Sequence, residues 1–110
     1  MKMEFIFDND KLIENNLTPE QVLSPIRKYF KNCNKKTIYE EKPGVFVGTN
    51  DDWTDFSAIS FLPRTKWFLR VIKEWYWYVD EYDGHGIQKE DMLQTYYDIK
   101  RGKIINAQGN

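Results

Sequence analysis

The residues with the clearest chemical potential form a short acidic stretch in the last third of the chain. Asp80, Glu81 and Asp83 precede His85, the only histidine. Carboxylates and an imidazole can hold a divalent cation or exchange a proton. A calcium loop, however, needs acids at its first, third and fifth positions, and here a tyrosine and a glycine stand at the third and fifth. We therefore interpret the stretch as a solvated turn and predict no metal site.

His85 lies between two glycines, which makes it a poor candidate for a general base. A catalytic imidazole needs supporting groups that fix its orientation, and a Gly-His-Gly tip offers few of them. Asp80 or Asp83 could orient the ring. The alternative is therefore a small-molecule-binding or weakly catalytic domain, in which His85 and Asp83 stand at the mouth of an aromatic pocket lined by tryptophans.

A second chemical candidate is the basic segment that surrounds Cys33. Five of the ten residues from 27 to 36 are cationic, which would favour a thiolate and could also bind phosphates. A single cysteine excludes an internal disulfide and a cysteine-only metal site. The formal net charge of −1 makes nucleic-acid binding unlikely, because such binders normally carry a basic excess. Nucleic-acid binding remains the second alternative, through Arg27, Lys28, Lys31, Lys35 and Lys36.

The aromatic run Trp75–Tyr78 is the strongest signal for molecular recognition. On a strand, Trp75 and Trp77 would share one face and Tyr76 and Tyr78 the other. If the tryptophans enter the core, the tyrosines form a rigid, amphipathic contact surface. The competing interpretation is that a helix also covers the tyrosines. The predicted binding surface consists of Tyr76, Tyr78, Asp80, Glu81, Tyr82 and Asp83.

The remaining composition excludes several classes of protein. No apolar stretch is long enough to form a signal peptide or a transmembrane helix. Nucleotide-binding, nucleophile-elbow and zinc-protease motifs are absent, and pairs such as Asp52 and Asp55 give no reason to expect hydrolysis. We therefore expect a cytoplasmic protein without a cofactor, more a binding module than an enzyme.

Most of the chain predicts short alternating elements. Met3–Phe7 alternates as a half-buried strand. Pro19–Lys31 predicts a helix that begins with a capping box at Thr18 and is interrupted by Pro25. Residues 37–41 and 45–48 predict two antiparallel strands joined by a Pro-Gly turn.

The second half of the chain is harder to assign. Phe56–Leu62 predicts a strand that ends at Pro63. Arg64–Tyr82 fits one helix, one strand or both, and we predict a helix over Arg64–Glu74, capped near Thr65, followed by a strand over Trp75–Asp80. Gln88 is predicted to open a last helix that Lys100, Arg101 and Gly102 close, and Ile104–Ile105 a short strand.

These elements predict an α+β fold with a single compact domain over residues 1–105 and a disordered tail over 106–110. An antiparallel sheet of four to five strands would carry about three helices on one side. The expected function is a small non-catalytic protein-binding module, such as an adaptor, an inhibitor or an immunity-type protein. Its partner would be a protein, basic enough to suit the acids, or a second copy of the chain. The predicted core contains Phe5, Phe7, Val22, Ile26, Phe30, Val45, Val47, Ile59, Phe61, Phe68, Val71, Ile72, Trp75, Trp77, Leu93 and Tyr97.

Overall fold

Five antiparallel strands form one sheet in the order β2-β3-β1-β4-β5. The computed structural model describes residues 1–32, 37–80 and 87–102, with the backbone alone at positions 80 and 87. The alternation of apolar and polar residues predicted at the start of the chain is confirmed by β1, which pairs with β4 on one side and β3 on the other. The strands are β1 Lys2–Phe7, β2 Tyr39–Lys42, β3 Val45–Val47, β4 Ile72–Asp80 and β5 Ile87–Asp91.

Five α-helices and two short 3₁₀ segments complete the described part of the chain. The predicted capping box at Thr18 is present, because its hydroxyl accepts from the Gln21 N–H while the Gln21 side chain accepts from the Thr18 N–H. Pro25 lies inside that helix. The helices are α1 Asn9–Glu14, α2 Pro19–Lys31, α3 Trp53–Ala58, α4 Phe68–Val71 and α5 Met92–Lys100, and the 3₁₀ segments are Asn50–Asp52 and Ile59–Arg64.

The Pro43-Gly44 turn is tight, although an L-Pro-Gly pair suits the twist of a hairpin poorly. Lys42 pairs with Val45 across it, and Gly44 has φ +86°, the value that the third position of a type II turn requires. The register shifts between Glu40 and Lys42. Such a bulge adds local twist, and we infer that it compensates for the strand divergence that a type II turn imposes.

One face of the sheet carries the core. Met3, Phe5, Phe46, Trp75 and Trp77 share that face and pack with buried residues of α2, α3, α4, α5 and the second 3₁₀ segment. A smaller cluster attaches α1 to α2 and α4. Helices packed on one side of an antiparallel sheet confirm the predicted α+β class.

Two predicted elements are wrong. The segment Phe56–Leu62 is helical rather than extended, because Phe56, Ile59 and Leu62 recur every three residues and all three are buried. Residues 88–91 belong to β5 rather than to the last helix. Asp91 instead caps α5, since its side chain accepts a hydrogen bond from the Gln94 N–H. Pairing with β4 overrides the weak strand preference of Gln88, Lys89 and Glu90.

The split of residues 64–80 into a helix and a strand is confirmed with shifted boundaries. The helical part is only one turn, α4, and the strand begins three residues earlier than predicted, at Ile72. The Thr65 hydroxyl accepts from the Phe68 N–H at 3.4 Å, while the N-cap position of the turn is Trp67, which makes no side-chain capping bond. Lys73 and Glu74 thus lie inside β4 rather than at a junction.

The core prediction is confirmed for Trp75 and Trp77 on the sheet and for the predicted residues of α2 and α4, and it is wrong at Phe61 and Tyr97. Phe61 and Tyr97 are exposed by 42% and 40%, whereas Phe56 and Leu62, which were not predicted, are buried. The predicted strand at 104–105 and the predicted tail at 106–110 lie outside the described residues. Further buried residues that the predicted core did not include are Met1, Met3, Leu12, Leu23, Phe46 and Met92.

Candidate functional site

The predicted alternation along β4 places the two tyrosines on the sheet face opposite the core. Trp75 and Trp77 are 1% and 7% exposed, while Tyr76 and Tyr78 are half-buried. Cross-strand pairing surrounds the tyrosines with charged residues. Lys2 and Lys89 flank Tyr78, and Glu4 and Asp91 flank Tyr76. We call the surface formed by Lys2, Glu4, Glu74, Tyr76, Tyr78, Lys89 and Asp91 the tyrosine face.

Lysine ammonium groups cover both phenol rings. The Lys89 Nζ lies 3.9 Å from the centroid of Tyr76 and 5.8 Å from that of Tyr78. The Lys2 Nζ lies 4.9 Å from the centroid of Tyr78. All three distances are within the range of cation–π attraction. These cations limit the freedom of the rings without excluding solvent from them.

The two hydroxyls are anchored to carboxylates. Tyr76 donates to Glu74 Oε1 at 2.5 Å, and Tyr78 donates to Glu4 Oε1 at 3.3 Å. The hydrogen bond to Glu74 is the main cause that raises the pKa of Tyr76 to about 12. Burial, followed by the charge of Glu4, raises the pKa of Tyr78 above its ordinary value. Both phenols are therefore held in the neutral form, and the proton of each hydroxyl is already engaged in a hydrogen bond to a carboxylate.

A broad concavity of about 650 Å³ opens at the Tyr78 end of the tyrosine face. Lys2, Glu41, Val47, Tyr78 and Lys89 contribute to its lining, so its walls combine apolar and aromatic groups with charges of both signs. Around Tyr76 lie Glu74, Asp91 and the Lys89 ammonium, while the Glu4 carboxylate reaches the Tyr78 hydroxyl. The tyrosine face is therefore charged with both signs, rather than purely acidic as the sequence suggested.

The acidic part of the predicted binding surface is only partly described. Asp80 ends β4 beside the tyrosines, with its backbone paired to position 87. Glu81, Tyr82, Asp83 and His85 lie outside the described residues. The structure therefore brings Tyr76 and Tyr78 together and adds Lys2, Glu4 and Lys89, which the sequence offered no periodic signal to find. The position of these three residues beside the tyrosines follows only from the register of β1 and β5 against β4.

The predicted basic patch is divided by an ion-pair clamp. Arg27 donates through Nε to Glu40 Oε1 at 2.7 Å and through Nη2 to Glu40 Oε2 at 3.1 Å, and its Nη1 pairs with Glu20. This pairing raises the pKa of Arg27 and lowers that of Glu20. The guanidinium thus holds α2 to the β2–β3 hairpin, and it is already neutralised. Lys28 and Lys31 are exposed, while Lys35, Lys36 and Cys33 lie outside the described residues.

A buried carboxylate belongs to the framework rather than to a reactive centre. Asp52 is fully buried and accepts from the Thr49 N–H at 2.8 Å, the Thr49 hydroxyl at 3.3 Å and the Thr37 hydroxyl. The neighbouring Asp55 accepts a hydrogen bond from the Tyr29 hydroxyl at its backbone carbonyl, at 3.2 Å. Within the described ranges, no group of three or more potential metal ligands is present.

A second cavity, of about 180 Å³, lies on the core side between β4, α5 and the second 3₁₀ segment. Pro63, Met92 and Ile99 form much of its apolar wall, and Trp75 lines it from the sheet. The indole N–H groups of Trp75 and Trp77 are both buried without a hydrogen-bond partner among the described residues. Leaving such a donor unpaired costs about 1–3 kcal/mol. The sequence suggested a tryptophan pocket but gave no signal for these walls.

Comparison with known proteins leaves the function open. No protein-family model matches the chain, and no curated protein or solved structure matches it significantly. In the part of the chain that the structure describes, no helix has the length and apolar character needed to cross a membrane.

Proposed function

We propose that this protein is a non-catalytic protein-binding module of the cytoplasm that contacts its partner through the tyrosine face. The observation that carries the proposal is the placement of Tyr76 and Tyr78 on the sheet face opposite the packed helices. Tyrosine is enriched in interfaces because its large ring is rigid and amphipathic. The proposed surface extends to Asp80, Glu81, Tyr82 and Asp83, which follow in the sequence.

The anchoring of the rings supports this role. Binding normally costs entropy when mobile side chains become ordered at an interface. Here Lys89 and Lys2 already cover the rings, and Glu74 and Glu4 already accept from the hydroxyls. A partner would therefore meet preformed rings and would lose little affinity in ordering them.

The distribution of charge defines the chemistry of the partner. Ammonium and carboxylate groups lie side by side along the tyrosine face, since Lys89 covers Tyr76 beside Glu74, and Lys2 covers Tyr78, whose hydroxyl donates to Glu4. A complementary protein surface would therefore carry both acids and bases, each opposite a group of the other sign. Such complementarity speeds association and fixes orientation more than it adds affinity. The acidic sequence that follows β4 favours a partner that is basic on that side.

Serine substitutions test the tyrosine face directly. Tyr76→Ser and Tyr78→Ser should each weaken partner binding at least tenfold, because truncation of an interface hot spot has this effect. Tyr97→Ser is the control, since Tyr97 is an exposed tyrosine on α5, away from the tyrosine face. Binding would be measured by affinity capture with mass spectrometry and then by titration with the identified partner. Folding would be checked by circular dichroism.

Photo-crosslinking locates the contact without relying on the loss of binding in a variant whose folding could be disturbed. A photoreactive residue at Lys89 should crosslink to the partner, whereas one at Ser24, exposed on α2, should not. Crosslinks between two copies of the chain at Lys89 would identify self-association as the function of the face. Equal crosslinking at both positions, or unchanged affinity of both serine variants, would overturn the proposal.

A further inference from the structure

We propose that β5 binds an extended, acidic segment of a partner protein, which adds to the sheet as a sixth, antiparallel strand. The inference rests on the protein-binding role proposed above and adds how the backbone of the partner is held. Within the described residues, β5 is the last strand of the sheet and no strand pairs with its outer side. The direction of its backbone groups, its regular pairing and the position of Lys89 carry the proposal.

The hydrogen bonds of β1 determine in which direction the neighbouring strands point their backbone groups. The Phe5 N–H donates to the Gly44 carbonyl at 2.8 Å, toward β3. Successive residues of a strand point their N–H and C=O groups to alternate sides, so Glu4 points toward β4. Glu4 lies directly opposite Tyr76, and these two residues therefore form a hydrogen-bonded pair. Tyr76 thus points its backbone groups toward β1.

The same alternation continues across β4 to β5. Trp77 follows Tyr76 and therefore points toward β5, where it lies opposite Glu90. Glu90, and Gln88 two residues before it, point back toward β4. Lys89 lies between them, so its N–H and its carbonyl point outward from the sheet. β5 therefore presents a donor and an acceptor to an added strand at Lys89.

The other edge of the sheet, at β2, is less suited to an added strand. The register of β2 shifts between Glu40 and Lys42, and such a bulge twists an edge away from a partner strand. The Glu40 side chain is also held by Arg27 of α2. β5, in contrast, pairs with β4 over five consecutive residues without a shift. The regular edge is therefore the one at β5.

The side chain of Lys89 leaves this edge open. A lysine in the middle of an edge strand normally prevents pairing with another strand. The Lys89 Nζ, however, lies 3.9 Å from the centroid of Tyr76. Its ammonium therefore lies over the tyrosine face rather than beyond the edge of the sheet. Among the described residues it forms no ion pair with a carboxylate.

The charge of Lys89 defines the occupant of the edge. The register that would pair all of β5 with β5 of a second copy sets Lys89 opposite Lys89, and like charges in this position destabilise a strand pair. An extended segment with a glutamate opposite Lys89 carries the complementary charge. Because directly opposite residues share a face, that glutamate would extend the tyrosine face by one strand.

A synthetic seven-residue peptide with blocked termini is the probe. It alternates valine and threonine around a central glutamate. In one control peptide the central residue is lysine, which should weaken binding about two- to fivefold, the usual effect of one cross-strand charge pair. In a second control the amide nitrogen of the central glutamate is methylated. This removes the N–H that would donate to the Lys89 carbonyl and should weaken binding about tenfold.

Amide hydrogen exchange followed by NMR locates the added strand on the full chain. In the free protein, the Lys89 amide should exchange rapidly, whereas the Gln88 and Glu90 amides should be protected because they bond to β4. The glutamate peptide should slow exchange at Lys89. The amides of Gln88 and Glu90 are the internal controls, since their hydrogen bonds to β4 are present with and without the peptide.

A matched pair of variants isolates the backbone donor. Lys89→Pro removes an N–H that points outward, which an edge strand tolerates because no bond to β4 is lost. Lys89→Ala is the control, since both variants lack the ammonium and only the proline lacks the donor. The proline variant should bind the glutamate peptide about tenfold more weakly than the alanine variant. Circular dichroism checks folding, and the exchange measurement on the wild type keeps the test valid if Lys89→Pro does not fold.

Each outcome supports or overturns strand addition. Protection of the Lys89 amide by the glutamate peptide, lost on methylation, would establish it. Absence of protection at millimolar peptide, or equal binding of the methylated peptide, would overturn it. Protection of Lys89 that rises with protein concentration without peptide would overturn the assigned occupant, because a second copy would then hold the edge.

The cellular partner, once identified, separates this inference from the proposed function. A partner that binds Lys89→Pro and Lys89→Ala equally, but not Tyr76→Ser or Tyr78→Ser, would overturn strand addition and leave the tyrosine face as the contact. The reverse pattern would keep strand addition and overturn the tyrosine face.

Discussion

The hydrogen bond between Tyr76 and Glu74 can be tested by the ionisation of a single phenol. The carboxylate accepts the phenolic proton at 2.5 Å and raises the pKa of Tyr76 to about 12 from the ordinary value of 10. Glu74→Gln replaces the carboxylate with a neutral amide of similar size, which accepts a weaker hydrogen bond from the phenol and can donate one to the ionised phenolate. We therefore expect the pKa of Tyr76 to fall most of the way back toward 10.

The sign of the effect on folding follows from the direction of this pKa. The folded pKa of Tyr76 lies above its unfolded value of 10, so the neutral hydroxyl contributes its full stability below pH 10. That contribution is lost as the pH rises from 10 to about 12. In Glu74→Gln, most of this pH dependence should disappear.

The ionisation is best followed by NMR of ¹³Cζ-labelled tyrosine, which resolves individual phenols. Tyr76→Phe assigns the resonance, and circular dichroism establishes the pH range over which the protein stays folded. Our account of the tyrosine face would be refuted by a wild-type Tyr76 that titrates near pH 10. A pKa that remains at about 12 in Glu74→Gln would refute it equally.

Two further predictions concern the framework that supports the site. Gly48→Ala should destabilise the protein by about 1–3 kcal/mol in urea denaturation, because its Cβ would lie 2.7 Å from Asp52 Oδ2 and 2.9 Å from Phe56. In an Asp52→Ala background the same change should cost about 1 kcal/mol less, and strictly additive effects would contradict this contact. Arg27→Ala should cost about 1 kcal/mol by releasing Glu20 and Glu40, as thermal unfolding would show. Because the pKa of Glu20 is lowered in the folded state, its share of this stability is present near neutral pH and is lost as the pH falls through that lowered pKa. A stability difference between the wild type and Arg27→Ala that persists in full in strong acid would contradict this.

The elements that could be predicted from the sequence are those in which a local signal and the tertiary environment agree. The helix α2 begins at the predicted residue because the Thr18–Gln21 capping box is complete within four residues. The alternation of Trp75, Tyr76, Trp77 and Tyr78 is also a local pattern, and it placed each ring on the correct face.

The errors occur where pairing or packing decides between two acceptable local structures. Gln88, Lys89 and Glu90 have no preference for a strand, and they adopt one because β4 supplies an exposed edge. Ser57, Ile59 and Phe61 alternate as a strand would, yet the spacing of the buried residues is three, and Phe61 points to solvent. A single sequence does not distinguish such cases, because both patterns fit the same residues.

The candidate site was predictable in its aromatic part alone. Tyr76 and Tyr78 are neighbours in one strand, so their common face follows from the period of the strand. Lys2, Glu4 and Lys89 enter from strands that are distant in sequence, and only the register of β1 and β5 against β4 places them there. The charge of the tyrosine face, and with it the chemistry of a partner, therefore required the structure.

The same register links the proposed binding surface to the core. Cross-strand pairing sets Phe5 opposite Trp75, and Glu4 opposite Tyr76, on the two faces of one sheet. A slip of one residue in β4 would move both indoles into water and both phenols into the core. The burial of Trp75 and Trp77 excludes that alternative energetically, since each large ring gains several kcal/mol from burial. The core thus determines the position of the two tyrosines, and a partner of the tyrosine face would bind a surface whose geometry is set by the packing on the other face of the sheet.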